Sequence, residues 1–200
     1  MKITKSNMNR RWVLKSAATT VFAGGLVQAL TAQTSATPKP ATQQTSAAEE
    51  PMLLWPQGAP GALGTAPADR PTLTPYVPAE ANGAAMLLIP GGSYGGIYAG
   101  QAEPFALWLN EQGITAFVLR YRLGTAGYRY PAQLQDAVEA MRRIREQASR
   151  WGLATNRIGA MGFSAGGHLL TTLLNRPEYG DPPGAPTKGR VSPRPDLAVI

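Results

Sequence analysis

A chain of 200 residues with 44% hydrophobic content is long enough for one globular domain. It holds no cysteine, which excludes disulfides, thiolate catalysis and cysteine-ligated metals. The net charge of +7 invites a nucleic-acid reading, but Lys2, Lys5, Arg10, Arg11 and Lys15 all precede Ala36, with no acidic residue among them. The basic excess belongs mostly to a leader, and no nucleic-acid partner is expected.

Within that leader, Asn9-Arg10-Arg11-Trp12-Val13-Leu14-Lys15 has the form of a twin-arginine motif. The stretch from Ala17 to Leu30 is only modestly apolar and is interrupted by Thr, Gly and Gln, too short and too polar to span a bilayer comfortably. Residues 1–32 therefore read as a twin-arginine-type signal peptide, with cleavage points near Ala29, Ala32 and Ala36. Its expected partner is the twin-arginine export machinery and its destination the periplasm or beyond. Residues 33–50 are rich in Thr, Gln, Ser, Ala and Pro and cannot bury enough surface to order themselves, so they read as a linker. The folded unit is expected from Pro51 to Ile200.

Met52-Leu53-Leu54-Trp55 opens that unit with a short apolar piece that runs into a turn at Pro56-Gln57-Gly58. Proline, glycine and small polar residues between 64 and 83 predict irregular surface with at most an edge strand. Ala84–Ile89 is fully apolar, the pattern of a strand covered on both faces. A helix is expected from Glu103 to Gln112, with Phe105, Leu107, Trp108 and Leu109 turned inward and Gly113 as its stop. Thr115–Arg120 forms the next strand. Pro131 suits the first turn of a long helix, along which Leu134, Ala137, Val138, Met141, Ile144, Ala148 and Trp151 recur at steps of three and four. A strand at Ile158–Met161, a helix at Ala165–Leu174, a Pro- and Gly-rich loop over 176–195 and an apolar strand from Leu197 follow. Alternation of this kind predicts a mostly parallel sheet with helices on both faces, an α/β fold.

Between the last strand–helix pair lies Gly162-Phe163-Ser164-Ala165-Gly166. A Gly-x-Ser-x-Gly run between strand and helix reads as a nucleophile elbow, in which the glycines permit a turn too tight for side chains. The Ala165 N–H at the helix start can then hold an oxyanion. Pro90-Gly91-Gly92-Ser93-Tyr94-Gly95-Gly96 follows the first apolar strand, at the end of a parallel sheet where sites are placed. Gly92 and Ser93 are expected to add two more oxyanion donors. The cluster matches no phosphate-cradling glycine pattern, one histidine and scattered carboxylates show no metal spacing, and no cofactor is expected.

Taken in order, Leu54-Trp55-Pro56-Gln57-Gly58-Ala59-Pro60, the glycine cluster at 90–96, Trp108-Leu109-Asn110, Ala116–Leu123, Tyr130-Pro131-Ala132 and Gly162–Leu169 resemble the α/β-hydrolase superfamily. The likeness is to the bacterial acetylxylan-esterase-like and feruloyl-esterase-like carbohydrate esterases, and it runs from about residue 51 onward. It implies a serine esterase that removes acetyl or similar acyl groups from plant polysaccharides or related sugars. Ser164 would attack the ester carbonyl, and the amides of Gly92, Ser93 and Ala165 would hold the oxyanion. Tyr94 and Tyr98 are candidates for a sugar-binding rim or for ordinary packing.

The pattern departs from that family where a serine needs its base. The family order is Ser, then Asp or Glu, then His, whereas the one histidine here, His168, is four residues past Ser164. It is expected to be structural, with its side chain turned away from the serine toward the interior behind the elbow. Asp136, Asp181 and Asp196 are not placed to act as the triad acid. The expectation is an α/β-hydrolase domain truncated before its acid and histidine, nearly inactive as it stands. Two other readings carry different signatures. A serine peptidase of the same fold would favour peptides over acetyl esters, and a non-catalytic relative would leave Ser164 unreactive.

Overall fold

The computed structural model describes residues 48–182, 184 and 189–200. The signal-peptide reading of 1–32 and most of the linker reading of 33–50 lie outside the described residues. At the linker's end, Ala48 bridges Tyr76 and the Glu49 amide donates to the Pro75 carbonyl, so ordered structure begins before Pro51.

Six strands form one sheet: β1 (Met52–Leu53), β2 (Thr72–Tyr76), β3 (Ala85–Ile89), β4 (Thr115–Arg120), β5 (Ile158–Gly162) and β6 (Ala198–Val199). Their spatial order is β1-β2-β4-β3-β5-β6, with β1 and β2 antiparallel and the other four parallel. The helices are α1 (Ala99–Glu111), α2 (Ala132–Glu146) and α3 (Ala165–Asn175).

The interior of the sheet follows the period of two expected of a doubly covered strand. Leu87 and Ile89 of β3 and Phe117 and Leu119 of β4 join the core beneath α2 and α3, with Leu134, Met141, Ile144, Leu169 and Leu173. Met86 and Leu88, one step out of phase, meet Ala116 and the Ala102–Ala106–Leu109 stripe of α1 on the opposite face. Each large aliphatic side chain buried here contributes about 1.5–3 kcal/mol. The long-helix periodicity holds through Ile144, after which a 3₁₀ turn at Ala148–Trp151 lays the Trp151 ring edge-on to Phe117 at 4.8 Å.

Two expectations are corrected. Residues 72–76 form an interior strand in place of irregular surface. The Pro75 carbonyl turns away from β4 to accept from Glu49, so its ring nitrogen also faces away from β4, and the pairing of β2 with β4 is kept. In addition, α1 begins four residues before Glu103 and buries its small residues. Phe105, Leu107 and Trp108 are 42%, 39% and 52% exposed, because a helix packed close to the sheet puts alanines against it.

One buried ion pair ties the layers together. Arg122, just past β4, and Asp136 of α2 are both fully buried, with Nη2 2.8 Å from Oδ1 and Nε 2.9 Å from Oδ2. The Arg122 amide and the Trp55 indole also donate to Asp136, and the guanidinium reaches the Pro60 and Ala132 carbonyls. Burial pushes the Asp136 carboxyl up, and these donors pull against that push. The pair anchors β1's following turn, the end of β4 and the start of α2.

Candidate active site

The carboxyl ends of β3, β4 and β5 converge on one rim, and the candidate residues lie there. β5 ends at Gly162, and α3 starts at Ala165, which leaves Phe163 and Ser164 to make the whole turn. Ser164 takes φ +51° and ψ −116°, a conformation that costs a non-glycine residue about 1–3 kcal/mol. It is exposed, and among the described residues its hydroxyl makes no hydrogen bond.

Close approach explains the flanking glycines. A Cβ on Gly162 would lie 2.5 Å from the Gly166 carbonyl oxygen, and one on Gly166 would lie 2.7 Å from the Pro90 oxygen and closer still to Ile89. The elbow is thereby pressed against the end of β3, where the Phe163 amide donates to the Ile89 carbonyl at 3.0 Å.

From that carbonyl the glycine loop departs. A Cβ on Gly91 would meet the Phe163 oxygen at 2.8 Å and the Ser164 Cβ at 3.1 Å, so Gly91 is the residue that lets loop and serine touch. Gly92, Ser93 and Tyr94 follow with φ of +132°, +52° and +59°. Such a turn leaves successive amides without partners inside the loop. Among the described residues the N–H groups of Gly92, Ser93 and Ala165 have no acceptor, whereas those of Gly95 and Gly96 both donate to the Gly92 carbonyl. The three expected oxyanion donors are therefore brought to the same rim as Ser164, with their amides free.

The loop is fixed from several sides by residues that the sequence reading passed over. Gln101 of α1 accepts from the Gly91 amide at 3.2 Å. Buried Tyr121, at the end of β4, donates to the Pro90 carbonyl at 2.9 Å. The Gly124 amide donates to the Tyr94 carbonyl at 2.8 Å, and the Thr125 hydroxyl to the Gly95 carbonyl at 3.0 Å. Burial, followed by the charge Tyr94 would carry, pushes the Tyr121 phenol up to about 12, so it stays a donor across ordinary pH. Only the Gly-rich composition signalled this loop; its fasteners are single polar residues from three elements, invisible to periodicity.

His168 departs from expectation. Its side chain is exposed on the rim, and Nδ1 lies 2.7 Å from the Tyr94 hydroxyl, with the two rings edge to face. It does not turn into the interior behind the elbow, because positions 166, 169, 170 and 173 take the buried face of α3. Its ring makes no bond to Ser164, whose carbonyl accepts only from the His168 backbone amide. Tyr94 thus lines a cavity of about 230 Å³ with His168, Tyr130 and Arg129. Tyr98, 64% exposed, borders none of the described cavities; its ring instead lies over Gly92.

The carboxylates are engaged elsewhere. Asp196 accepts from the Ile158 amide at the start of β5, the far end of the sheet, and Asp181 pairs with Arg142 and Arg190. Asp136 is buried in its pair with Arg122. Among the described residues no three His, Asp or Glu side chains gather as a metal site, and no helix is long and apolar enough to cross a membrane.

Known proteins are similar to this chain in sequence and fold. An acetylxylan esterase of Xylanibacter ruminicola is 35% identical over 106 residues, covering 52% of this chain and 22% of the relative. An ethyl acetate hydrolase of Pseudomonas putida is 32% identical over 96 residues, 47% of this chain and 30% of the relative. The chain thus spans less than a third of the length of these curated relatives. Among solved structures, an acetyl ester-xyloside bifunctional hydrolase from Caldicellulosiruptor lactoaceticus is 36% identical with a TM-score of 0.60, over 74% of this chain and 55% of that one. A Thermogutta terrifontis esterase, 22% identical with a TM-score of 0.60 over 74% of this chain and 51% of that one, shares the α/β-hydrolase fold. The sequence pattern of the BD-FAE family matches residues 75–177, and the chain belongs to that family of α/β-hydrolase type.

Proposed function

We propose that this chain carries the nucleophile and oxyanion site of a serine-dependent carboxylic ester hydrolase that deacylates plant polysaccharides or related acylated sugars. The observation that carries this reading is the exposed, strained Ser164 beside three amides without acceptors, those of Gly92, Ser93 and Ala165. Esterase and ester-hydrolase relatives support the reaction class.

In this reading the Ser164 hydroxyl attacks the ester carbonyl carbon and gives up its proton to a base. The carbonyl oxygen becomes an oxyanion and takes hydrogen bonds from the three amides, each worth about 3–4 kcal/mol of transition-state stabilisation. Collapse expels the alcohol, which takes the proton, and leaves an acyl group on Ser164 that water then removes. The loop amides are held before substrate arrives, so no reorganisation is needed as charge develops. The His168 ring is engaged with Tyr94 and not with Ser164, so in this reading the proton acceptor is a group other than His168, without which the serine is a poor nucleophile. Export through the twin-arginine route, from the Arg10-Arg11 leader, belongs to the same proposal.

The test is hydrolysis of 4-nitrophenyl acetate by the full-length gene product. Ser164→Ala is expected to lower kcat at least a thousandfold, and a fluorophosphonate probe is expected to label Ser164 alone. Undiminished turnover in Ser164→Ala, or a probe that leaves Ser164 unlabelled, overturns the proposal.

A further inference from the structure

The cavity that Tyr94 and His168 line has a composition that the esterase reading leaves unused. It opens between α3 and the loop that follows β4, and His168 and Thr172 of α3 face Tyr94, Tyr130 and Arg129 across it. His168 is one helical turn, about 5.4 Å, beyond Ser164, and Tyr94 is the residue after Ser93. The cavity's volume of about 230 Å³ suits one ring, since pockets for larger ligands start at about 300 Å³.

The lining is aromatic, and it holds no carboxylate. Tyr130 is 61% exposed at the rim, with its ring free to cover a sugar face. Arg129 is exposed beside it, and among the described residues no hydrogen bond or ion pair engages its guanidinium. Glu178 and Asp181 border an adjoining cavity that Arg129 also lines; Asp181 is already held by Arg142 and Arg190, and among the described residues Glu178 forms no ion pair. Every other arginine described at the end of β4 or along α2 has a partner: Arg120, Arg122, Arg142, Arg143 and Arg145. A planar cation left over at the mouth of an acid-free aromatic pocket fits a carboxylate, which it can grip through two N–H groups.

We infer that this cavity receives the alcohol part of the ester, and that Arg129 selects a sugar ring bearing a carboxylate, a uronic acid, over a neutral one. The inference rests on the esterase reading for the role of the ring, but the pocket can be tested without turnover. Full-length Ser164→Ala protein is titrated by calorimetry with methyl α-D-glucuronoside and with methyl α-D-glucoside. The charged glycoside is expected to bind about fivefold more tightly, the upper scale of an exposed ion pair. Arg129→Gln is expected to erase that difference and Arg129→Lys to keep part of it. With Arg129 in place, raising ionic strength to about 0.5 M should shrink the difference, a readout that needs no variant to fold. Equal affinity for the two glycosides, no binding of either, or a preference that survives Arg129→Gln overturns the inference. Loss of 4-nitrophenyl acetate hydrolysis in Ser164→Ala reports separately on the esterase reading, so either can fail while the other stands.

Discussion

Alanine at Gly166 tests whether the contact between elbow and β3 holds the site together. The added methyl would lie 2.7 Å from the Ile89 carbonyl carbon and the Pro90 oxygen and nearer still to the Ile89 oxygen, all of them backbone atoms. No side chain can swing aside, so either α3 moves off the sheet or the glycine loop peels from β3. Either movement breaks the 3.0 Å bond from the Phe163 amide to the Ile89 carbonyl. Overpacking costs about 1–3 kcal/mol, the orphaned carbonyl about 1–3 kcal/mol, and alanine in a helix returns about 1 kcal/mol, for a net loss of about 1–5 kcal/mol. Urea unfolding of the full chain measures this. Gly152→Ala serves as the control, because Gly152 has φ +62° with nothing within 4 Å of the added atom, so backbone strain of about 1–2 kcal/mol is its whole cost. The serine should lose its reactivity in Gly166→Ala and keep it in Gly152→Ala. If Gly166→Ala unfolds within about 1 kcal/mol of the parent, or retains full fluorophosphonate labelling, the reasoning from close approach is refuted.

Other outcomes follow from the same geometry. Arg122→Ala strands Asp136 in the core and is expected to cost about 3–5 kcal/mol by urea unfolding, with Arg122→Lys a poor rescue because one ammonium cannot replace the paired grip on the carboxylate and the reach to Pro60 and Ala132. At alkaline pH the Tyr121 phenol ionises near 10 in the unfolded chain but only at about 12 in the folded one. Its stabilising contribution is therefore complete below pH 10 and is lost as pH rises to 12, a fall of about 2–3 kcal/mol. Phenolate absorbance followed against pH should show a late ionisation that coincides with unfolding, and its early, freely reversible appearance would contradict the burial of Tyr121.

The sequence by itself determined the alternation of elements, the parallel core and the elbow, because these rest on local signals. A short apolar run bounded by turn signals suits a covered strand, and a glycine-flanked serine between strand and helix suits a tight turn. It also located the glycine loop, whose positive φ angles at Gly92, Ser93 and Tyr94 are of the kind that such a composition serves. Where hydrophobicity was taken as burial it misled. Phe105 and Trp108 lie outside while Ala102 and Ala106 lie against the sheet, since the distance between helix and sheet, not side-chain polarity, chose which residues fit. Proline content likewise hid β2, because whether a proline costs a ladder bond depends on what pairs along that side of the strand. Only the tertiary structure decided that Gly91 is the glycine touching Ser164, that Tyr121 and Gln101 fasten the loop, and that His168 meets Tyr94 at the rim. Each of these joins residues from different elements, and a contact of that kind has no period or spacing along the chain by which it could be read.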